Sequence, residues 1–369
     1  MTPSKVYFTD FRCRPGLNQQ QKLEKLILAA GFDKIDFDGK FVAIKIHFGE
    51  LGNLAFLRPN YAKTVVDMVR ARGGKPFLTD CNTLYVGSRK NALDHLDTAY
   101  LNGFTPLSTG CHVLIADGLK GLDEAEVPVR GGEYVKNAKI GRAIMDADIV
   151  ISLTHFKGHE QVGFGGALKN LGMGSGSRAG KMEMHSAGKP IVDQSLCIGC
   201  RACARICAHD APQFENKKCT IDTNKCVGCG RCIAACPKDA IEAPYDESFE
   251  NLNAKIAEYA KAVVDGRPSF HISIVSDVSP NCDCHAENDV PIVPDVGMFA
   301  SFDPVAIDQA CADAVNRQPA APNCAITDQH GEHDHDRFHG AHPDTHWQYA
   351  VAHAKKIGLG TDEYELVTL

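Results

Sequence analysis

Eight of the sixteen cysteines fall into a repeated pattern. Cys197, Cys200 and Cys203 stand at two-residue gaps with Cys207 three residues further on, and Cys226, Cys229, Cys232 and Cys236 repeat that spacing, followed by Pro237. Three thiolates so spaced can wrap one iron–sulfur cube through successive turns, while the fourth points away to a neighbouring cube. The expected ligand sets therefore cross: Cys197, Cys200, Cys203 and Cys236 hold one [4Fe-4S] cluster, and Cys226, Cys229, Cys232 and Cys207 hold the other. A pair of zinc sites is the alternative, although four-cysteine zinc sites do not need a doubled register. Gly199, Gly228 and Gly230 let backbone N–H groups approach the sulfurs and tune their reduction potential. Most of the other cysteines are expected to be small buried residues.

Over about 50 residues this pattern resembles the bacterial two-cluster ferredoxins. One departure is Ala208, where that family usually has proline, a change that bears on loop rigidity and leaves the thiolate of Cys207 in place.

A second chemically loaded stretch reads ISLTHFKGHEQVGFGGALKNLGMGSG from Ile151 to Gly176. His155, Lys157, His159 and Lys169 are its candidate catalytic residues. Gly163, Gly165, Gly166, Gly172 and Gly174, with Lys169, could bring N–H groups and charge to a phosphate-bearing cofactor. The alternative is a Gly-rich connection that packs one part of the chain against another, and the run is neither a Walker nor a dinucleotide fingerprint. Further on, Cys282 and Cys284 are separated by one residue, a spacing that suits two thiolates facing a shared ligand or additional metal ion better than a strained disulfide. With His47, His155 or His159 they could complete a mixed Cys/His site; cysteines capping a turn are the other reading. A His- and Asp-rich loop covers 328–346, where His335/His339 and His342/His346 have the spacing of a shared helix face able to hold a divalent ion. Pro343 interrupts any continuous helix there, and a solvated acidic loop is the default for such composition.

The elements that must position these residues alternate. Apolar runs at Phe41–His47, Pro76–Thr79, Val113–Ala116 and Ile149–Leu153 are separated by helical patterns at Asn60–Arg72, Arg89–Leu101 and near Ile140–Met145. Such alternation predicts an α/β fold with a mainly parallel sheet covered on both faces, with ligands gathering beyond the carboxyl ends of the strands. His47, Glu50, Asp80, Asp117 and His155 to His159 follow those strands. After the cysteine-rich stretch the pattern resumes with a helix at Phe249–Val264, a strand at His271–Val275, a helix at Asp303–Val315 that opens on an Asp cap and Pro304, a helix at Trp347–Lys356 and a short strand at Tyr364–Leu369. The expected organisation is therefore 1–187 as the first part of the α/β domain, 188–246 as an inserted α+β two-[4Fe-4S] ferredoxin-like domain, and 247–369 as the second part.

With 44% hydrophobic and 23% charged residues in 369, the composition is that of an ordinary globular chain, and no apolar run reaches the length of a membrane span. A net charge of -7 disfavours nucleic acid as a partner. The first residues lack the pattern of a secretory signal, which predicts a cytoplasmic location.

The stretches KIHFGE, THFKGHEQVGFGGALKNLGMGSGSR, NCDC and PIVPDVGMFASFDPVAIDQAC are similar to the family known as domain of unknown function 362, over nearly the whole chain. That resemblance implies an α/β domain often interrupted by or fused to a ferredoxin. The segment from His155 through GFGGALKNLGMG is also similar to the His and Gly-Gly-x-Lys segment of lactate racemase-like proteins, which bind a nickel-pincer nucleotide; here one extra residue precedes Lys169. The expected function is an iron–sulfur oxidoreductase that passes electrons from a redox partner protein or small carrier to a substrate or second cofactor in the α/β domain. Two alternatives stand beside it: a noncatalytic electron carrier or maturation partner docking another enzyme, and an enzyme whose clusters are structural or sensory.

Overall fold

The computed structural model describes residues 2–186 and 188–369. Eight strands form one sheet: β1 (Ser4–Thr9), β2 (Phe41–Lys45), β3 (Lys75–Asp80), β4 (His112–Ile115), β5 (Ile149–His155), β6 (Ser269–Val275), β7 (Gly297–Ser301) and β8 (Tyr364–Thr368). Their order across the sheet is β8-β1-β7-β6-β5-β2-β3-β4. Only β7 runs against its neighbours; every other pairing is parallel.

Alternation along the strands divides the core between two faces. Ile44, Ile151 and Ile272 are buried on one side with Leu23 and Leu26 of α1 (Gln19–Ala29) and Val65 of α2 (Pro59–Arg70). Ala43 and Val150 are buried on the other, with Leu171 of α4 (Ala167–Ser175), Ile256 and Ala260 of α6 (Phe249–Val264), Val305 of α7 (Pro304–Asn316) and Val351 of α8 (Gln348–Lys356). Each fully buried aliphatic side chain contributes roughly 1.5–3 kcal/mol. Two more helices matter for the site: α3 (Ala92–Leu101), capped by Asn91, and α5 (Arg178–His185), capped by Ser177. The architecture is a three-layer α/β arrangement around a mainly parallel sheet.

The cysteine-rich stretch lies in the connection from β5 to β6, which are adjacent parallel strands. Both of its flanks therefore belong to one sheet. Within it, Ile191–Val192 pairs with Ile241–Glu242, Pro212–Glu215 pairs with Lys218–Ile221, and two short helices span Ala202–Ile206 and Arg231–Ala235.

The structure differs from the sequence reading, or completes it, at three places. The helix expected near Ile140–Met145 starts at Arg142, because Asn137–Gly141 instead pairs with Glu124–Pro128 as a hairpin. β1 and β7 were not expected at all, β7 being a five-residue run that contains Gly297 and Ser301. The His-rich loop does not place its spaced histidines on shared helix faces. Asp336 accepts hydrogen bonds from the Phe338 and His339 N–H groups, so the only helical turn is Arg337–Ala341, with His335 before it and His342 at its end. The His339 ring instead stacks on His346 at 5.8 Å and bonds Asp334. Among the described residues no helix is long and apolar enough to cross a membrane.

Candidate functional site

Beyond the carboxyl ends of β2, β3, β5 and β6 the chain encloses a cavity of about 670 Å³. β2 delivers Lys45 and, just past it, His47 and Glu50; β3 delivers Asp80; β5 ends on His155; the loop after β6 brings Cys284 and His285. Arg89 from the loop before α3, Lys169 and Asn170 of α4, and Lys181 and His185 of α5 close the walls.

Its charges are organised in pairs. Lys45 Nζ lies 2.9 Å from Asp80 Oδ1, and Arg89 bridges Glu50 at 3.0 Å and Asp80 at 3.5 Å. Burial would raise the Asp80 carboxyl, but Lys45, His47, His95 and Arg89 outweigh it and hold Asp80 below the usual carboxylate range. His47 is pushed well below the ordinary imidazole value, first by burial and then by Arg89, and its Nδ1 accepts the Gly49 N–H.

His155 Nδ1 faces both oxygens of Asp283 at 2.9 Å, while Nε2 meets the Ser276 carbonyl at 2.8 Å. Both ring nitrogens thus face oxygen atoms of the protein. Lys157 Nζ sits 3.4 Å from the same carboxylate and donates to the His155 carbonyl. Two of the four candidate catalytic residues are thus tied to one buried aspartate.

Lys169 Nζ instead reaches Cys282 Sγ at 3.1 Å. A hydrogen bond from the Cys284 thiol, then the charge of Lys169 and a bond from His159, overcome burial and push the Cys282 thiol well down; Cys284, the donor, moves up. Among the described residues, Glu160, Cys284 and His285 form the only set of three or more metal-type donors lying within 4.8 Å of one another. That set shares Cys284 with the site expected from the sequence, and its other two donors are Glu160 and His285.

The glycine run divides between helix packing and the wall of the cavity. The Asp308 carboxylate accepts from the Ala167 and Leu168 N–H groups at 2.6 and 2.9 Å, filling the position at the start of α4 that an anion would take. Gly172 packs so closely on α6 that a Cβ there would lie 2.2 Å from the Ile256 carbonyl oxygen, and one on Gly163 would lie 2.8 Å from Trp347. Gly166, Lys169 and Gly174 line the cavity, whereas Gly163, Gly165 and Gly172 do not.

The eight spaced cysteines sit in two groups. Cys197, Cys200, Cys203 and Cys236 line one small cavity, and Cys207, Cys226, Cys229 and Cys232 line another. All sixteen cysteines are free thiols. The N–H groups of Cys219, Gly228 and Ala240 point at Cys197, Cys226 and Cys236 sulfurs at 3.3–3.4 Å. Gly199 and Gly228 have φ of 66° and 72°, and a side chain on either would run into a backbone carbonyl at 2.1–2.2 Å. Leu84 and Met182 pack in the same apolar group as Cys197 and Cys203, and Leu84 also lines the large cavity. Val86 and Gly87 line both that cavity and the cleft reaching Cys236. The first group of thiols is therefore close to the wall of the large cavity.

Cys219, Arg89, Glu160, Lys181 and His185 were not singled out from the sequence. None belongs to a spaced motif; only Cys219 and Glu160 carried a signal, the one as an unassigned cysteine near the pattern and the other as the acid next to His159.

The family described as domain of unknown function (DUF362) matches residues 42–313. A thylakoid-associated protein of Synechocystis sp. is 30% identical over 138 residues, which is 36% of this chain and 36% of that protein. The chain thus spans about a third of that relative's length. Two solved structures show distant likenesses. The lactate racemase apoprotein from Thermoanaerobacterium thermosaccharolyticum has a TM-score of 0.43 at 12% identity, over 86% of this chain and 59% of that one. A protein from Thermotoga maritima has a TM-score of 0.35 at 12% identity, over 72% and 52%. Likenesses at that level carry no functional weight.

Proposed function

The chain belongs to the family described as domain of unknown function (DUF362), and from its site we propose an iron–sulfur oxidoreductase that binds two [4Fe-4S] clusters in an inserted ferredoxin-like domain and reacts its substrate in the large cavity. The observation that carries this reading is the crossed grouping of eight free thiols around two cavities, one of them close to the wall of a polar chamber. Zinc fits the thiols poorly. With Zn–S bonds of about 2.3 Å, four sulfurs on one ion lie roughly 3.8 Å apart, whereas the only set of three or more donors within 4.8 Å among the described residues is Glu160, Cys284 and His285. N–H groups aimed at three of the sulfurs suit a buried cluster anion.

Clusters of this kind supply one-electron transfer with a redox partner protein or small carrier, as expected in a reducing cytoplasm. The chain's own side chains define what the chamber holds. Lys45, Arg89 and Lys157 are engaged by Asp80, Glu50 and Asp283. Lys169 faces the Cys282 sulfur, and Lys181 bonds the Gly176 carbonyl. An anionic substrate in the chamber would compete with the Cys282 sulfur for Lys169 and with the Gly176 carbonyl for Lys181.

Purification without oxygen, followed by iron, sulfide and zinc analysis and electron paramagnetic resonance of the reduced protein, tests this. Two clusters require about eight irons and eight sulfides per chain and a signal from interacting reduced cubes. Stoichiometric zinc in the cysteine sets, or a single cube, would overturn it. Mass spectrometry of small molecules released on denaturation then identifies what the chamber binds.

A further inference from the structure

The strongest site outside the cysteine pattern is the trio Glu160, Cys284 and His285 on the chamber wall. Glu160 comes from the turn between the short strands Lys157–His159 and Gly163–Gly165, and the other two come from the loop after β6. That loop is held in place: the His285 N–H donates to the Cys282 carbonyl, and the His285 carbonyl accepts from the Asn53 side chain at 2.9 Å.

Three observations point to a cation. The donors are one sulfur, one nitrogen and one carboxylate oxygen, the mixed set that borderline dications favour. The three donor atoms already lie within 4.8 Å of one another, and the hydrogen bond that now joins His285 Nε2 to Glu160 Oε1 holds them 3.1 Å apart, near the roughly 3.3 Å of two ligands on a tetrahedral ion with bonds of about 2.0 Å. Glu160 Oε2 is buried without a hydrogen-bond partner among the described residues, with His159 Nδ1 3.6 Å away and beyond hydrogen-bond reach, so it keeps an open acceptor position.

We propose that Glu160, Cys284 and His285 form a three-ligand site for a divalent ion of the zinc class, with its remaining position turned into the chamber. Binding replaces the Cys284 thiol proton and the proton that His285 Nε2 shares with Glu160 Oε1 by the ion; the thiol proton goes to solvent, and the imidazole proton moves to Nδ1 or to solvent. A thiolate and a carboxylate then balance the dication, and the ion presents a Lewis acid to whatever the chamber holds. The site shares the chamber of the redox reading but none of its eight cysteine ligands, so the two stand or fall separately.

The test is titration of the oxygen-free, iron-loaded chain with zinc, read by elemental analysis and by X-ray absorption at the zinc edge, which iron does not disturb. The expected result is one zinc per chain bound by one sulfur and lighter N/O donors, with iron content unchanged. Cys284→Ser, Glu160→Gln and His285→Ala should each weaken zinc binding by roughly tenfold or more, the scale on which even supporting residues act, whereas His335→Ala with His339→Ala should leave it intact. Zinc ligated by N/O donors alone would place the ion in the His-rich loop and overturn the proposal. Zinc bound by several sulfurs with loss of iron would place it in the cysteine sets and overturn it equally, and so would binding indifferent to Glu160→Gln. A chain without iron that still binds zinc through one sulfur would keep this site and sink the cluster reading. The absorption measurement needs no variant, so a poorly folded substitution leaves the question decidable.

Discussion

Lys169 Nζ lies 3.1 Å from Cys282 Sγ, a lysine facing in the interior a thiol that its neighbours push well below the usual range. Cys282 is 1% exposed, so removing the lysine would leave any charge on its sulfur without water and without the facing ammonium, only the bonds from Cys284 and His159 remaining. Breaking a buried pair on one side costs about 3–5 kcal/mol, because the remaining charge is uncompensated. Lys169→Met should therefore lower the unfolding free energy by about 3 kcal/mol, and adding Cys282→Ser should recover part of the loss. A double-mutant cycle in denaturant under nitrogen measures the coupling, expected at roughly 1.5–3 kcal/mol for a hydrogen bond to a charged group. Strictly additive losses would mean that the two groups do not form an ion pair.

Gly172 is a packing residue, with a Cβ there meeting the Ile256 carbonyl oxygen at 2.2 Å. Because the obstacle is backbone, α4 and α6 must separate to admit a methyl group. Gly172→Ala should destabilise the chain by about 1–3 kcal/mol, the usual cost of overpacking. Thermal unfolding checks the loss, and iron analysis of the same sample should show no change, since the glycine touches neither cysteine group. A phosphate-binding role for this glycine predicts the opposite pattern: unaltered stability and lost ligand.

Asp308 is pushed up to about 7 by burial, against the pull of the Leu168 and Ala167 N–H groups. An unfolded aspartate titrates at about 3.9. Between those values the folded chain keeps a proton that the unfolded chain has released, so the stability this group contributes is complete below about pH 4 and is lost as the pH rises through 7. Asp308→Asn keeps an oxygen acceptor for α4 and cannot ionise. Its melting temperature relative to the parent should therefore climb between about pH 5 and 7.5. A difference that stays flat over that range would show that Asp308 is already ionised in the fold.

Much of the frame was legible because local pattern and final packing agree. The Phe249–Val264 helix has the bounds expected from its periodicity, and α7 begins where Asp303 and Pro304 signal a start. β2 and β5 are continuous apolar runs buried on both faces, and the polar residues at their ends do line the chamber. What was not legible depends on tertiary closure. Asp308 fills the start of α4 from 140 residues away, so the glycines looked free to hold an anion. His335 and His339 have helical spacing, but Asp336 between them starts the helix and leaves His335 outside. Arg89 and His285 enter the chamber from loops whose course the strands alone do not fix.

Cys219 separates ligands from neighbours. Its sulfur lies 3.6 Å from Cys203 Sγ and its N–H points at Cys197 Sγ, so it is a ninth cysteine against the first thiol group, carried on the Lys218–Ile221 strand rather than in the spaced turns. If the spacing chooses the ligands, Cys219→Ala removes only a packed thiol and keeps the N–H that supports Cys197, because that group belongs to the backbone. The variant should retain about eight irons per chain, whereas Cys203→Ala should lose about four by taking one ligand from one cube. Iron analysis with electron paramagnetic resonance of both reduced variants checks this. The reverse result, loss in Cys219→Ala and retention in Cys203→Ala, would mean that the cube binds the strand cysteine and that the crossed assignment drawn from the spacing is wrong at that corner.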